Sequence, residues 1–237
     1  DYFYSVLPLF RDKRYITVDG KPLFLIYAPQ DIPDTEVFLS TWKKLAVENG
    51  LKGIHFVARA SAIGGLNRAV SKKKILSETP SRYKEYLEKG YDAITSTSLT
   101  RADLCTGSYF GKLLKLFLEK IGVSAIPDIH DYGKSIKYFY TDEDCWENVY
   151  PQIIPRWDKT PRMGRGAHLY KNSTPELFEK SVEIALKHIE NKQEEHKILF
   201  AFAWNEWGEG AYLEPDIKFG RGYLEALRSA IIKRKDN

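Results

Sequence analysis

The chain contains 237 residues, 43% hydrophobic and 29% charged, a composition that excludes intrinsic disorder as its main state. Its 36 basic and 32 acidic residues nearly cancel, and a formal net charge of +4 is too mild to indicate nucleic acid as a partner. No apolar run approaches the roughly 18 residues that span a bilayer, and two cysteines cannot form a disulfide framework or a four-ligand zinc site by themselves.

The first predicted elements are a hairpin, two strands and a helix. The Asp19-Gly20 pair between β-rich runs predicts a tight turn, and the apolar run that follows predicts a strand at residues 22–27 buried on both faces. Helical periodicity over residues 35–49 ends at Gly50, a residue typical of helix C-termini. Residues 51–58 predict the next strand, inside which His55 is expected to be a hydrogen-bonded core histidine.

The middle of the chain is more polar. The segment that contains Gly64-Gly65 and the lysines at 72–74 predicts a solvated loop or helix face. Thr141 is expected to cap a helix whose first turn holds Asp142 and Asp144, although a D-x-D metal or nucleotide-sugar motif stays open there. The remaining predicted elements are strands at 91–98, 149–157 and 197–204 and helices at 109–121, 174–189 and 219–233.

The alternation of strands and helices predicts an α/β fold with parallel strands and crossover helices. Five core strands are expected, at residues 22–27, 51–58, 91–98, 149–157 and 197–204, within a single domain over residues 1–237. Five strands are too few to close an eight-stranded barrel. The chain also starts at Asp1 without an initiator methionine, so we expect a fragment or a processed chain.

The segment 203–210 is the strongest candidate site. A predicted buried strand ends there in Glu206 and Glu209, with two glycines that would let the backbone bend and aim both carboxylates into one cavity. Paired carboxylates are what glycosidic-bond chemistry uses, and an indole offers an apolar platform for a sugar ring. In the alternative interpretation the two glutamates are exposed loop charges and the tryptophans belong to the core. The candidate binding residues of this segment are Trp204, Asn205 and Trp207.

A second segment, residues 155–162, is a weaker partner for this site. It places Trp157, Asp158 and several basic residues at a predicted strand exit, although a salt-bridged loop is an equally good interpretation. Tyr27 ends an earlier strand and could reach the same face. The run from Asp128 to Asp131, which contains His130, lacks the spacing and companions of a metal site, so we predict no metal and no cofactor.

The run Trp204-Asn205-Glu206-Trp207-Gly208-Glu209-Gly210, followed by residues 212–216 and 220–225, resembles the WbsX-type glycosyltransferase family of bacterial lipopolysaccharide and polysaccharide biosynthesis. It is also similar to glycoside hydrolase family 99, the endo-α-mannosidases. Matching pieces at residues 10–16, 19–24 and 157–161 extend the resemblance over nearly the whole chain. The resemblance implies a (β/α)8 TIM barrel of the glycosidase type, of which this chain would be the C-terminal part, about five βα units, with the first strands upstream of Asp1.

The resemblance to family 99 also implies roles for the two carboxylates. Glu206 would deprotonate the sugar 2-hydroxyl to give a 1,2-anhydro intermediate, and Glu209 would be the general acid and then the base at the glycosidic oxygen. Asn205 and Trp207 would shape the pocket. Family 99 carries a different residue where this chain has Gly208, and mannose specificity does not follow.

These observations predict a carbohydrate-active enzyme acting at a glycosidic bond, either a glycosyltransferase or an endo-acting hydrolase. Its partner would be a glycan or glycolipid substrate, with no nucleic acid and no membrane span in this segment, and a cytoplasmic location is expected. No convincing phosphate-binding element for a nucleotide sugar is present in the sequence. The alternative hypothesis is a non-catalytic glycan-binding or scaffold domain of a polysaccharide assembly system.

Overall fold

The computed structural model describes residues 1–60, 72–107, 117 and 127–235, which form a mixed α/β structure. They divide into two compact units. The first contains Asp1–Ser96, Glu143–Tyr150 and Asn191–Ile198, and the second contains Thr97–Asp142, Pro151–Glu190 and Leu199–Asn237. A single domain over residues 1–237 stays a prediction. The predicted helix at 109–121 and the Gly64-Gly65 segment lie outside the described residues, apart from residue 117.

Regular elements alternate along the described chain. The helices are α1 (Tyr2–Phe10), α2 (Thr35–Glu48), α3 (Lys72–Glu88), α4 (Leu99–Thr106), α5 (Tyr132–Ser135), α6 (Thr160–Met163), α7 (Pro175–His188) and α8 (Gly222–Lys235). The strands are β1 (Thr17–Val18), β2 (Lys21–Ile26), β3 (His55–Ala60), β4 (Ala93–Ser96), β5 (Asp128–Asp131), β6 (Val149–Ile153), β7 (His168–Lys171), β8 (Phe200–Ala201), β9 (Asn205–Glu206) and β10 (Ala211–Tyr212). Short 3-10 turns occupy Pro29–Asp31, Ile136–Tyr138, Asp142–Cys145, Gly164–Gly166, Glu194–His196 and Trp207–Glu209.

The first unit begins with the predicted hairpin. β1 and β2 pair antiparallel through Asp19 and Gly20, whose φ angles of 54° and 72° lie in the left-handed region that two-residue hairpin turns require. β2, β3 and β4 then pair in parallel, with Leu23 opposite His55 and Val57 opposite Ala93. The prediction of parallel strands is confirmed for this part of the chain.

A helix and an aromatic core complete the first unit. The Asp34 carboxylate accepts the Val37 N–H at 2.9 Å, and this N-cap starts α2 at the predicted position. The core is unusually aromatic, which accounts for part of the high aromatic content. Its fully packed members are Phe3, Leu7, Phe10, Ile26, Leu39, Trp42, Ala46, Ile54, Phe56, Ala58 and Tyr91.

His55 confirms the expectation of a core histidine. It lies on β3 with 3% of its surface exposed, and its Nε2 is 3.0 Å from the Tyr150 hydroxyl. The same hydroxyl lies 2.9 Å from Nδ1 of His196, so the three side chains form one hydrogen-bonded chain.

The second unit contains three short strand pairs. The end of β6 pairs in parallel with β8, Gln152 opposite Phe200, and β5 pairs in parallel with β7, Asp128 opposite His168. β9 and β10 form an antiparallel pair. The strand predicted at 197–204 is therefore reduced to two residues in regular pairing, and β5 and β7 were not predicted because neither is an apolar run.

Two long helices enclose the core of the second unit. α7 starts at Pro175 after the Thr174 hydroxyl accepts the Leu177 N–H, as the sequence predicts. α7 and α8 pack together and are linked by Lys233, whose ammonium lies 2.5 Å from Glu179 and 3.2 Å from Glu183. Within the described ranges, no helix combines the length and apolarity that crossing a bilayer requires.

The acidic run after Thr141 differs from its prediction. Asp142–Cys145 is a single 3-10 turn rather than the first turn of an α-helix, and Asp144 is buried within it. The lysines at 72–74 start α3, which agrees with a helix face.

Candidate active site

The strand and turn that carry the two glutamates lie in the second unit. Glu206 ends β9, and Glu209 ends the 3-10 turn Trp207–Glu209. Gly210 follows with a φ of 55°, and a Cβ there would lie 3.0 Å from the carbonyl oxygen of Asp158. Only glycine fits both the left-handed backbone and this close approach at Gly210. The bend that was expected at Gly208 is not a left-handed turn, since positive φ occurs at Gly210 and not at Gly208.

Arg162 binds both glutamates at once. Its Nη2 donates to Glu206 Oε1 at 2.8 Å, and its Nη1 donates to Glu209 Oε1 at 2.9 Å. The two carboxylates therefore face one guanidinium rather than opposite sides of the backbone. The Glu206 side chain is 42% exposed and the Glu209 side chain 17%, so the pair lies at a partly open surface.

Glu209 has further partners on the segment 155–162. The Trp157 indole N–H donates to Oε2 at 3.0 Å, and the Lys159 ammonium lies 3.5 Å from Oε1. The backbone N–H of Asp158 donates to the Glu209 carbonyl at 2.8 Å. The Asp158 carboxylate itself accepts the Thr160 N–H at 2.8 Å, at the first residue of α6, the helix that carries Arg162.

These contacts set the ionisation of Glu209. Burial alone would raise its pKa, but the Trp157 hydrogen bond and the charges of Lys159 and Arg162 outweigh burial and lower the pKa below its ordinary value of 4.5. Glu209 is therefore an ionised carboxylate at neutral pH in this arrangement.

Trp207 stacks on Tyr212 beside the carboxylates. The ring centroids are 3.7 Å apart with an interplanar angle of 17°, and the Trp207 N–H donates to Glu214 Oε2 at 2.6 Å. Asn205 lies opposite Tyr212 in the β9–β10 pair. Trp204 is exposed at the start of the same segment. The structure thus stacks Trp207 on Tyr212 within the predicted segment, and the binding roles of Trp204, Asn205 and Trp207 stay predictions.

Asp216 and Arg156 hold the Tyr212 side chain in position. Its hydroxyl donates to Asp216 Oδ2 at 3.1 Å, and Arg156 donates to the same oxygen at 2.8 Å while its guanidinium lies 4.5 Å from the Tyr212 ring centroid. The Asp216 side chain is nearly buried, and the stack under Trp207 is thereby fixed in place.

The structure places Tyr27 in the other unit and gives Arg162 and Lys159 partners that were not predicted. Tyr27 lies in the first unit, exposed, with the Arg59 guanidinium 4.3 Å from its ring centroid, and its membership of the site stays a prediction. From the sequence, Arg162 and Lys159 were only basic residues of a predicted loop. Their pairing with Glu206 and Glu209 spans more than 40 residues of sequence, so the local pattern could not have shown it.

A separate group in the second unit could hold a metal ion. Asp103, His130 and His168 each bring one donor atom within 4.8 Å of the others. These partners of His130 were not visible in the sequence, because Asp103 comes from α4 and His168 from β7.

The family of the chain follows from comparison with known proteins. Residues 1–227 match the family model described as "Glycosyltransferase WbsX". The chain belongs to the WbsX glycosyltransferase family. This result confirms the resemblance drawn from the 204–210 segment, and it places that segment within the matched residues of the WbsX family.

Relatives and a solved structure agree with the WbsX assignment. The chain is 24% identical to "Uncharacterized protein WxcX" of Xanthomonas campestris pv. campestris strain B100, over 95% of this chain and 29% of the relative. It is 25% identical to the same protein of strain ATCC 33913, with the same coverage. A solved "Glycoside hydrolase-like protein" aligns with a TM-score of 0.56 and 16% identity over 97% of this chain and 59% of its own, which shows a shared fold. The chain thus spans about 29% of the curated relatives' length.

Proposed function

We propose that this chain is part of a carbohydrate-active enzyme that acts at a glycosidic bond in bacterial lipopolysaccharide or polysaccharide metabolism. Glu206 and Glu209 are its paired carboxylates. The observation that carries the proposal is their convergence on the guanidinium of Arg162, with the Trp157 indole bonded to one of them. Membership of the WbsX family and the glycoside hydrolase-like fold support the same chemistry.

The finer fold proposed is the C-terminal part, about five βα units, of a (β/α)8 barrel. Parallel pairing of β2, β3 and β4 in the first unit and of β6 with β8 in the second supports it, as does the aligned solved structure. In such barrels the catalytic groups follow the carboxyl ends of strands. The two glutamates follow β8 in this way.

The proposed reaction follows the route that the similarity to glycoside hydrolase family 99 implies. Glu206 accepts the proton of the sugar 2-hydroxyl while that oxygen attacks the anomeric carbon. The bond to the leaving oxygen breaks, and this oxygen takes a proton from Glu209. The acceptor then gives its proton to Glu209 as it opens the 1,2-anhydro ring, and Glu206 returns its proton to the 2-oxygen. A glycan or glycolipid acceptor gives a transferase, and water gives a hydrolase.

This route requires protonated Glu209, whereas the structure holds it ionised. Arg162 is the group that substrate can move, because its side chain is 54% exposed and comes from the short helix α6. Displacing its guanidinium removes a positive charge from both carboxylates, and the pKa of Glu209 then rises toward the range of a general acid. We therefore assign Arg162 as the residue that substrate displaces.

The indole rings and polar groups around the acids form the proposed binding surface. Trp207 stacks on Tyr212, and Trp204 is exposed in the same segment, so each offers an apolar face to a sugar ring. Asn205 and Asp158 are the proposed polar binding residues. Tyr27 is included as a further binding residue on the basis of its place at the end of a strand.

A non-catalytic glycan-binding domain is the second candidate. The ion pairing of both carboxylates favours it, because a lowered pKa at Glu209 suits a permanent charge better than a proton donor. The two candidates differ in turnover, so a kinetic experiment separates them.

The test compares Glu206→Gln and Glu209→Gln with the exposed control Glu190→Gln. Purified protein is incubated with bacterial polysaccharides and lipid-linked oligosaccharides, and products are measured by mass spectrometry. Loss of a general acid or base lowers the rate by about 10²–10⁴, so both site variants lose activity by that factor and the control keeps it. Full turnover in both site variants refutes the catalytic assignment, and glycan binding without turnover in the wild type supports the second candidate.

A further inference from the structure

The second unit contains a cluster of histidines and aspartates that the proposed chemistry does not use. Asp128 and His130 lie two residues apart on β5, so their side chains share one face of the strand. His168 lies directly opposite Asp128 on β7, and Asp103 reaches the same place from α4. Three separate elements thus meet at one point.

The hydrogen bonds of Thr106 assign the proton of the neutral His130 ring to Nδ1. The Thr106 hydroxyl donates its proton to the Ala102 carbonyl at 2.8 Å, so its oxygen accepts from Nδ1 of His130 at 2.9 Å. The proton on Nδ1 leaves a lone pair on Nε2. A histidine fixed by a second hydrogen bond in this way is typical of metal sites.

The free nitrogen of His130 points at negative oxygen atoms. Nε2 lies 3.2 Å from Asp128 Oδ1 and 3.8 Å from Asp103 Oδ1, yet it makes no hydrogen bond, and the side chain is only 1% exposed. Nε2 of His168 is likewise buried without a hydrogen bond, 3.3 Å from Asp103 Oδ1. At His130 a buried lone pair facing carboxylate oxygens is repulsive, and a cation between them removes the repulsion. At His168 burial alone would lower the pKa, but Asp103 and Asp128 raise it to about 9, so a metal ion there takes the place of a proton.

We propose that Asp103, His130 and His168 bind a divalent transition-metal ion through Asp103 Oδ1 and the two Nε2 atoms. Two imidazoles and a carboxylate are ligands that Zn²⁺ accepts at about 2.0–2.2 Å, which places tetrahedral donor atoms about 3.4 Å apart. The observed separations of 3.3 and 3.8 Å from Asp103 Oδ1 need only a small contraction, and all three donor atoms lie within 4.8 Å of one another.

Each proposed ligand also has an outer partner. Thr106 holds His130, and the Tyr170 hydroxyl donates to Asp103 Oδ1 at 2.5 Å. Asp128 Oδ2 lies 3.8 Å from Nδ1 of His168, on the side away from the proposed ion. Such outer partners orient metal ligands, and the Thr106 oxygen, which accepts from His130, also raises the basicity of that ring. The Asp103 and Asp128 side chains are 27% and 49% exposed, which gives an ion a path from solvent.

The bound ion would influence the candidate active site through the His168 ring, which contacts Trp157. The His168 and Trp157 ring centroids are 5.0 Å apart, and Trp157 donates to Glu209. An ion that joins α4, β5 and β7 therefore fixes the His168 ring, against which Trp157 packs. The assignment is structural, and it does not depend on the proposed glycosidic chemistry.

The test measures Zn²⁺ binding directly, without substrate. Chelator-treated protein is equilibrated with ZnCl₂ by dialysis, and bound metal is quantified together with the shift in Tm, since an ion that binds the native state stabilises it. We expect one Zn²⁺ per chain and a rise in Tm. Both are lost in His168→Ala and Asp103→Asn and kept in the control His188→Ala.

A conservative variant separates loss of Zn²⁺ binding from loss of the fold. Thr106→Val removes only the outer hydroxyl and should weaken Zn²⁺ binding by about 10–100-fold, with an unchanged circular dichroism spectrum. The proposal is overturned if wild-type protein binds no stoichiometric Zn²⁺, or if His168→Ala and His188→Ala weaken binding equally.

Discussion

The indole N–H of Trp157 donates to Oε2 of Glu209 at 3.0 Å, while Arg162 occupies the other oxygen of the same carboxylate. Both oxygens of Glu209 are therefore bound by donors from the segment 155–162. The orientation of this glutamate is set by residues about 50 positions earlier in the chain.

Removing the indole donor should loosen Glu209. Trp157→Phe keeps an aromatic ring and deletes the N–H, so we expect the free energy of unfolding to fall by about 1.5–3 kcal/mol, the range for a hydrogen bond to a charged group, and the pKa of Glu209 to rise. Urea unfolding and carboxyl NMR measure the two effects. Trp146→Phe in the first unit is the control for ring loss, and an unchanged pKa of Glu209 in Trp157→Phe would contradict the assignment.

Arg162→Gln should change stability only where Glu209 is ionised. The pKa of Glu209 is lowered from 4.5 in the folded chain, so its pairing stabilises the fold above about pH 4.5, and this contribution disappears as the pH falls through the folded pKa. The pair is partly exposed, so the loss at neutral pH should be below about 1 kcal/mol. Unfolding free energies of wild type, variant and the exposed control Arg228→Gln across this pH range measure it. A difference that persists unchanged at acid pH speaks against the pairing.

Gly208 and Gly210 should respond differently to alanine. A Cβ at Gly208 meets only side-chain ends, Arg162 Nη2 at 3.2 Å and Glu206 Oε1 at 3.3 Å, so Gly208→Ala should displace that ion pair with little loss of stability. A Cβ at Gly210 meets backbone at 3.0 Å and the φ is 55°, so Gly210→Ala should lose about 1–3 kcal/mol. Thermal unfolding of both variants measures the contrast. Equal losses would show that the bend after Glu209 is not built as described.

The buried histidine of the first unit should make stability depend on pH. Burial, the largest cause, and the nearby charges of His196 and Lys21 lower the pKa of His55 to about 4, against the opposing charges of Asp92 and Asp19. The unfolded chain, with a histidine pKa near 6.5, binds the proton more readily. Stability is therefore fully present above about pH 6.5 and declines as the pH falls toward about 4.

His55→Phe tests this dependence. The variant keeps a ring but cannot titrate, so the loss of about 3 kcal/mol expected in the wild type over this range should shrink markedly. Denaturant unfolding at several pH values supplies the measurement, with His188→Phe as the matched control. A variant that keeps the full acid-side slope would assign the effect to other groups.

The sequence predicted the elements whose signals are local. The Asp19-Gly20 turn, the helix over 35–48 and the Pro175 helix start depend on neighbouring residues, and the structure has each of them. β5 and β7 were missed because four-residue strands such as Asp128–Asp131 carry charge and histidine instead of an apolar run.

The candidate site was predictable in part for the same reason. Glu206, Glu209 and the tryptophans are contiguous in sequence, so the segment was visible as a pattern. The partners that set their charge, Arg162 and Lys159, come from another loop, and only the folded chain brings them together. The cluster around His130 has the same origin, since its proposed ligands Asp103, His130 and His168 are 27 or more residues apart.

The central claim, that Glu206 and Glu209 act at a glycosidic bond, is tested most directly by changing the leaving group. Once a substrate is identified, its glycoside and the corresponding glycosyl fluoride are compared in single turnovers, because fluoride departs without a proton. The account predicts that Glu209→Gln loses about 10²–10⁴ in rate on the glycoside but little in fluoride release, while Glu206→Gln loses on both. Equal losses by Glu209→Gln on the two substrates, or no loss by either variant, would contradict it.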